Sequence, residues 1–393
     1  MTDKQKALQL WQKLLETLQK EDLLNTRGVA EAFQAVPRHL FLPHMPLEEV
    51  YANKAIGLKH DLDGLLVSSS SQPSMMAIML EQMALESGAN VLEIGTASGY
   101  NAAIMKHIVG DSGSVTTIEI DKDLAEQANK NLQSAKVRDV HVVHGDGAQG
   151  YAPRAAYDVI IATVGVWDIP QTWINQLKFK GALVVPVVVD GVQLSACFEP
   201  QTDGTLLSAD NRPCAFVYLR GNYAGPNFRR QVGSTSLYIH TDEVDKIDTA
   251  SLHALLSDDY EFSQFDKALS SADYWQGYQL YLMVNEPSDA IFMVYAVIDG
   301  QKAYGIEGRG IALFTPGSAA FAGYGDKGAV HCFAGSDAFL MMQTCLDDWV
   351  ADGEPEASDL RLRLIPKTLG QPKIDYGKLY TRRDNYLHAW IEN

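Results

Sequence analysis

Cysteine is scarce in this chain of 393 residues: there are four, at positions 197, 214, 332 and 345, with no C-x-x-C pair and no zinc-type spacing. That excludes a disulfide-stapled secreted scaffold and a zinc module, and the four read as reduced, buried thiols of a cytoplasmic protein. Long apolar runs are missing too. VIIATVGVW and ALVVPVVV have the length of buried strands, well short of the roughly 20 residues that cross a bilayer. The N-terminal MTDKQKALQLWQKLLETLQK reads as an amphipathic helix of mixed charge without a secretory signature. Basic residues are few: 32 against 49 acidic, a net charge of −17, which argues against nucleic acid or an anionic membrane as partner. Residues 221–393 carry 14 basic and 24 acidic side chains. This reads as a solvated acidic face, with a docking surface for a basic peptide as the alternative.

Two nucleotide signatures are absent as well. No Gly-Lys-Ser/Thr follows a glycine-rich loop, which excludes a Walker-type triphosphate site, and no complete G-x-G-x-x-G is present. What stands instead is VLEIGTASGY, residues 91–100. Its apolar start suits a buried parallel strand, and Gly95 and Gly99 suit a tight turn into a helix, where backbone can approach a ligand closely. A second strand, SVTTIEID, delivers Glu119, 24 residues after Gly95, where doubly wound sheets place an acid that accepts from ribose hydroxyls. A third, VHVVHGDG, brings Asp146 and Gly147 to the same edge, where a carboxylate can meet an adenine amino group. A strand ending in E-x-G and then G-T-A-S-G suits a cofactor with no phosphate to neutralise. S-adenosylmethionine (SAM) fits, with Glu93 and Gly95 offering its sulfonium a carboxylate and close backbone.

Length allows two domains of ordinary size. Helices are expected over 3–20 and 26–35, an irregular strand over 51–71 with a turn at Asp63-Gly64, and a helix from Ser71-Gln72-Pro73 to about Glu86 with a polar cap. From Val91, strands and helices alternate through residue 189, the pattern of a mostly parallel sheet covered on both faces. VQLSACFEP and CAFVYLRG read as closing antiparallel strands. The pattern breaks at 221–226, which sets a boundary between residues 1–221, a doubly wound α/β unit of Rossmann-like type, and residues 222–393, a smaller α+β unit. In the latter, 278–284, 290–299 and 310–314 read as strands, 336–351 as a helix, and LRLRLIP as a strand with one buried and one wet face. Tyr274, Trp275, Tyr278 and Tyr281 read as core, with a peptide groove as the alternative. His39, His44, His60, His141 and His144 lack metal-ligand spacing.

VPRHLFLP, the S-x-P entry at Ser71, VLEIGTASGYNAA, GDG at 145–147 and YDVIIATVG followed by Ile169-Pro170 together resemble protein-L-isoaspartate O-methyltransferases over about residues 20–220. The resemblance implies methyl transfer from SAM to the side-position carboxylate of isoaspartyl residues in polypeptides, the ester then closing to a succinimide. It implies that Ser71 orients the acceptor carboxylate. It also implies that Gly95 and Gly99 line the methionine portion of the cofactor, with Thr96, Ala97 and Tyr100 among its binding residues, that Glu119 holds the ribose, that Asp146 and Gly147 meet the adenine, and that Thr163 lies at the ligand-binding strand end. Two positions depart from the family pattern. Ala97 replaces a glycine, at a cost of roughly 1 kcal/mol if φ is positive there; Ser74 stands where the family usually has His, which alters the peptide contacts. ATVGVWDIP, SSSSQPSMMA and the added C-terminal unit resemble the branch that tailors ribosomally made peptides by methylating a chosen aspartate, which gives an aspartimide. Tailoring is the expected use, general isoaspartate repair the alternative, and a catalytically silent SAM-binding adaptor the alternative of another class.

Overall fold

The computed structural model describes residues 2–392. An outer layer of helices leads the chain: α1 (Asp3–Lys20), α2 (Arg27–Ala35) and the short α3 (Leu47–Val50). The first opens with a capping box, in which the Thr2 hydroxyl accepts from the Gln5 amide and the Gln5 side chain accepts from the Thr2 amide. A two-stranded hairpin follows, β1 (Ile56–His60) and β2 (Leu66–Ser70). Then comes α4 (Pro73–Met83), started by Pro73 at its first position and ended by Ala84 in the left-handed region, φ 45°.

The alternating part forms as expected: β3 (Asn90–Ile94), α5 (Tyr100–Val109), β4 (Ser114–Glu119), α6 (Lys122–Ser134), β5 (Val140–His144), β6 (Tyr157–Ala162), α7 (Gln171–Gln176) and β7 (Leu177–Val189), continued by β8 (Val192–Pro200) and β9 (Leu206–Pro213). Parallel pairs join β7 to β6, β6 to β3, β3 to β4 and β4 to β5. Strand order therefore reverses between β3 and β6. In such sheets ligands bind outside the carboxyl ends at that reversal, here Ile94-Gly95 and Ala162-Thr163. Leu92, Ile94, Ile160 and Leu183 pack on one face of the sheet; Val91, Val115, Ile161 and Val184 pack on the other, against α2, α4 and α5.

The second unit builds an antiparallel seven-stranded sheet from β10 (Arg229–Gln231), β11 (Leu237–His240), β12 (Tyr260–Gln264), β13 (Ile291–Val297), β14 (Arg309–Phe314), β15 (Ala319–Gly323) and β16 (Ala329–Phe333), in the order β10-β11-β13-β14-β15-β16-β12. Helix α8 (Thr249–Leu256) covers one face. After the short α9 (Ser271–Asp273), a π turn over Tyr274–Tyr278, α10 (Gln279–Val284) and α11 (Asp337–Ala351) lie on the other, packed in the same core as the first sheet.

Four expectations are corrected. Residues 222–393 are not a self-contained unit: β17 (Leu360–Pro366), β18 (Lys378–Thr381) and β19 (Asn385–Ile391) return to the first sheet, β17 pairing with β9, so that sheet has ten strands. The strictly alternating LRLRLIP covers what would be an open edge at β9, with Leu360, Leu362 and Leu364 buried. Residues 278–284 are helical, because Tyr278, Leu280, Leu282 and Met283 are all buried and leave no polar face to reveal the helical period. CAFVYLRG is no strand; it crosses the carboxyl ends of the parallel strands, held by a bridge of Tyr218 to Gly165. Finally, α4 stops three residues short of Glu86.

Among the described residues no helix is long and apolar enough to cross a membrane.

Candidate active site

A cleft lies outside the carboxyl ends of β3, β4 and β6, walled by Ile94, Gly95, Ala97, Glu119, Gly147 and Thr163 and roofed by residues 217–220. Gly95 has φ 102°, and a Cβ there would fall 2.6 Å from the Thr163 hydroxyl, which itself donates to the Gly95 carbonyl at 2.8 Å. Only glycine meets both demands. The Glu119 carboxylate accepts from the Ala97 amide (2.9 Å) and the Asp121 amide (3.1 Å). Burial pushes its pKa up, and each oxygen keeps a lone pair for a hydroxyl donor. Ile118 and Leu219 add apolar wall for a flat ring. The donor and acceptor set suits a nucleoside with two ribose hydroxyls: an acid, close backbone and apolar walls, with the lining Arg220 already paired to Asp121.

Several expected residues support the cleft without lining it. Glu93 is fully buried; Oε2 accepts from the Thr117 hydroxyl (2.6 Å) and Oε1 from the Asn101 amide (2.8 Å). Burial lifts its pKa to about 7. It does not line the cleft, because alternation along β3 sends it to the face covered by α5. Thr96 bonds the Thr117 hydroxyl at 2.7 Å and belongs to the same buried network. Tyr100 packs on Phe41, with ring centroids 5.4 Å apart. Gly99, φ 82°, lets α5 approach α6, since a Cβ would meet that of Ala128 at 3.3 Å. Asp146 anchors the roof, its Oδ1 accepting from the Ala148 amide (3.0 Å) and its Oδ2 from the Asn222 amide (2.8 Å), and Gly147 beside it lines the cleft. Ala97 does adopt a positive φ, 47°, so the strain attached to it is present.

Beside this cleft lies a second cavity of about 280 Å³ that includes Ser71, Gln72 and Ser74. Ser69 lines both spaces. Ser71 does not cap α4; Gln72 occupies the cap position and makes no side-chain capping bond. Among the described residues the Ser71 hydroxyl has no protein partner, while its carbonyl accepts from Arg38 at 2.8 Å. Arg38 is the main residue that sequence reasoning missed. Its buried guanidinium also donates to the Val50 carbonyl (3.0 Å) and the Ser70 carbonyl (3.3 Å), and burial lowers its pKa to about 10. It remains charged at neutral pH and ties the hairpin end to VPRHLFLP, the motif that already contained it. Arg220 and Lys59 were also missed; both pair with Asp121 at the cleft mouth. Their signal is long-range and has no local spacing.

The family described as protein-L-isoaspartate(D-aspartate) O-methyltransferase (PCMT) matches residues 9–224. Protein-L-isoaspartate O-methyltransferase 2 of Archaeoglobus fulgidus is 38% identical over 218 residues, 56% of this chain and 96% of that protein. The protein-L-isoaspartate O-methyltransferase of Pyrococcus abyssi is 41% identical over 177 residues, 45% of this chain and 78% of that protein. A solved protein-L-isoaspartate O-methyltransferase structure superposes with a TM-score of 0.52 at 25% identity, covering 90% of this chain and 96% of its own. That likeness therefore extends past residue 224, into the second unit.

Proposed function

Because this chain belongs to the protein-L-isoaspartate(D-aspartate) O-methyltransferase family, and is a SAM-dependent methyltransferase, we propose that it esterifies the side-position carboxylate of an isoaspartyl residue in a polypeptide. One observation carries this reading: the cofactor cleft and the Ser71 cavity meet at Ser69, and the Ser71 hydroxyl is unengaged. SAM supplies, when bound, an electrophilic methyl on a positively charged sulfur. The acceptor is ionised at pH 7, so the protein needs no strong base. Its task is alignment, which places a carboxylate oxygen in line with the methyl carbon. Ser71 donates to that carboxylate, and Arg38 fixes the backbone that presents Ser71. Glu119 holds the ribose, and Gly95 with Ala97 frames the methionine portion. With that methyl supplied, the acceptor carboxylate would become a methyl ester, the sulfur keeping the electron pair of the broken bond. The next backbone nitrogen of the polypeptide can then attack the ester, releasing methanol and closing the succinimide. Four unpaired, buried cysteines support a reducing, cytoplasmic setting.

A second reading, tailoring of a chosen aspartate in a ribosomally made peptide, is supported by the position of the second sheet, whose cavity adjoins the acceptor cavity through Cys214 and Ala215. Incubation with methyl-labelled SAM and two peptides separates these readings. Base-labile label on a linear isoaspartyl peptide is the expected result. Label only on a macrocyclic aspartyl peptide would favour tailoring, and label on neither despite cofactor binding would favour the adaptor.

A further inference from the structure

Between the second sheet and residues 191–193 and 214–218 lies a cavity of about 340 Å³. Cys214 and Ala215 line both this cavity and the one holding Ser71, and Tyr218 lines both it and the cofactor cleft. A polypeptide with its acceptor at Ser71 would thus have neighbouring residues beside this space. Two arginines reach it from different strands, Arg229 of β10 and Arg309 of β14. Register places them on one face: Arg309 lies opposite Ala296, and Ala296 opposite Tyr238. The Arg229 guanidinium sits 3.9 Å over the Tyr238 ring, a stacking that leaves its edge donors free.

Among the described residues neither arginine has a carboxylate partner. Arg212, Arg220, Arg230, Arg361 and Arg382 each have one. Among the described residues Arg363 and Arg383 also lack a carboxylate partner; what sets the exposed Arg229 and Arg309 apart is that both line one cavity, in a unit with 24 acidic side chains and 14 basic ones. Trp275 and Tyr324 complete the wall, with ring centroids 5.1 Å apart, and give the methylene stem of a bound side chain an apolar surface.

We infer that this cavity is a specificity subsite that takes an acidic side chain of the polypeptide substrate, at a position flanking the methylated residue. The inference rests on the proposed reading of Ser71 as the acceptor site. It assigns the second sheet a role in choosing the sequence around the acceptor.

Fluorescence anisotropy on the full chain loaded with S-adenosylhomocysteine tests it, using labelled isoaspartyl peptides that carry Glu or Gln at successive flanking positions. At one position the Glu peptide should bind about tenfold more tightly than its Gln counterpart, in line with charge-assisted hydrogen bonds. The Arg229→Gln/Arg309→Gln variant should lose that preference, with the loss appearing in KM for the Glu peptide. The charge-reversed Arg229→Glu/Arg309→Glu variant should prefer Lys at the same position. Retained affinity for S-adenosylhomocysteine reports an intact fold in both. No preference in the wild type at any position, or a preference that survives in Arg229→Gln/Arg309→Gln, overturns the inference. So does inorganic phosphate binding that depends on both arginines without any peptide preference, which assigns the site to a free anion. Because binding is read apart from turnover, a Glu preference without methylation would sink the acceptor assignment and leave the subsite standing; methylation without preference would do the reverse.

Discussion

The two sheets of this molecule serve the site in different ways. The first is parallel where it matters, so all its carboxyl ends point one way and its side chains and amides converge at the strand-order reversal. The second is antiparallel throughout and has no such end; it can contribute only a face. Glu119, Gly95 and Thr163 line the cleft from strand ends, whereas Arg229, Tyr238 and Arg309 line their cavity from three strands of one surface. A strand-end site is assembled by short turns, and a facial site by register between distant segments. The two are bolted together at Asp190. This fully buried carboxylate accepts from Lys378 (2.8 Å), from the Tyr380 hydroxyl (2.8 Å) and from the Asp242 amide (3.1 Å), which joins the β7–β8 turn to β18 and to the end of β11.

Breaking that bolt should have the largest effect. Asp190→Ala leaves Lys378 with Glu286 alone and should cost about 4 kcal/mol. Urea unfolding followed by tryptophan fluorescence is expected to split into two transitions as the sheets uncouple. A pH series sharpens the comparison within the first sheet. The folded pKa of Glu93, about 7, lies above its ordinary 4.5, so the folded chain holds the extra proton between those values. Its contribution to stability therefore falls as pH rises from about 4.5 to 7, by roughly 3 kcal/mol, and levels off above. Glu93→Gln should remove that slope in unfolding measured at pH 5 and pH 8. Ser71→Ala should lower kcat for an isoaspartyl peptide about tenfold, the loss of one hydrogen bond to a charged group, with cofactor affinity unchanged by calorimetry. The smallest change is Ala97→Gly, which relieves the positive φ and should raise stability by about 0.5–1 kcal/mol, read as a higher urea midpoint.

The contrast also explains what the sequence made legible. The parallel strands, the start of α4 and the turn into α5 were readable because each rests on a local pattern: apolar runs, Pro73 at a helix start, Gly95 at a turn. Glu119 and Gly147 were readable from spacing in the same way. Spacing alone did not reveal which way a side chain turns. Glu93 and Asp146 are acids at plausible positions that do not line the cleft: Glu93 bonds Thr117 and Asn101 in the buried interior, and Asp146 accepts from the Ala148 and Asn222 amides. Arg38 escaped notice because its partners lie 12 to 33 residues away. The return of β17 to β9 joins residues 206–207 to 363–364, and alternation in LRLRLIP specifies a strand without specifying its neighbour. Residues 278–284 lacked the polar face that separates a buried helix from a buried strand.

The central claim is that the cleft at the strand-order reversal holds the methyl donor through Glu119. Calorimetric titration of S-adenosylhomocysteine into the wild type and Glu119→Ala tests it most directly. Saturable binding to the wild type, weakened about a hundredfold or more in the variant, is the expected result; equal affinity in both proteins, or none in the wild type, would contradict it.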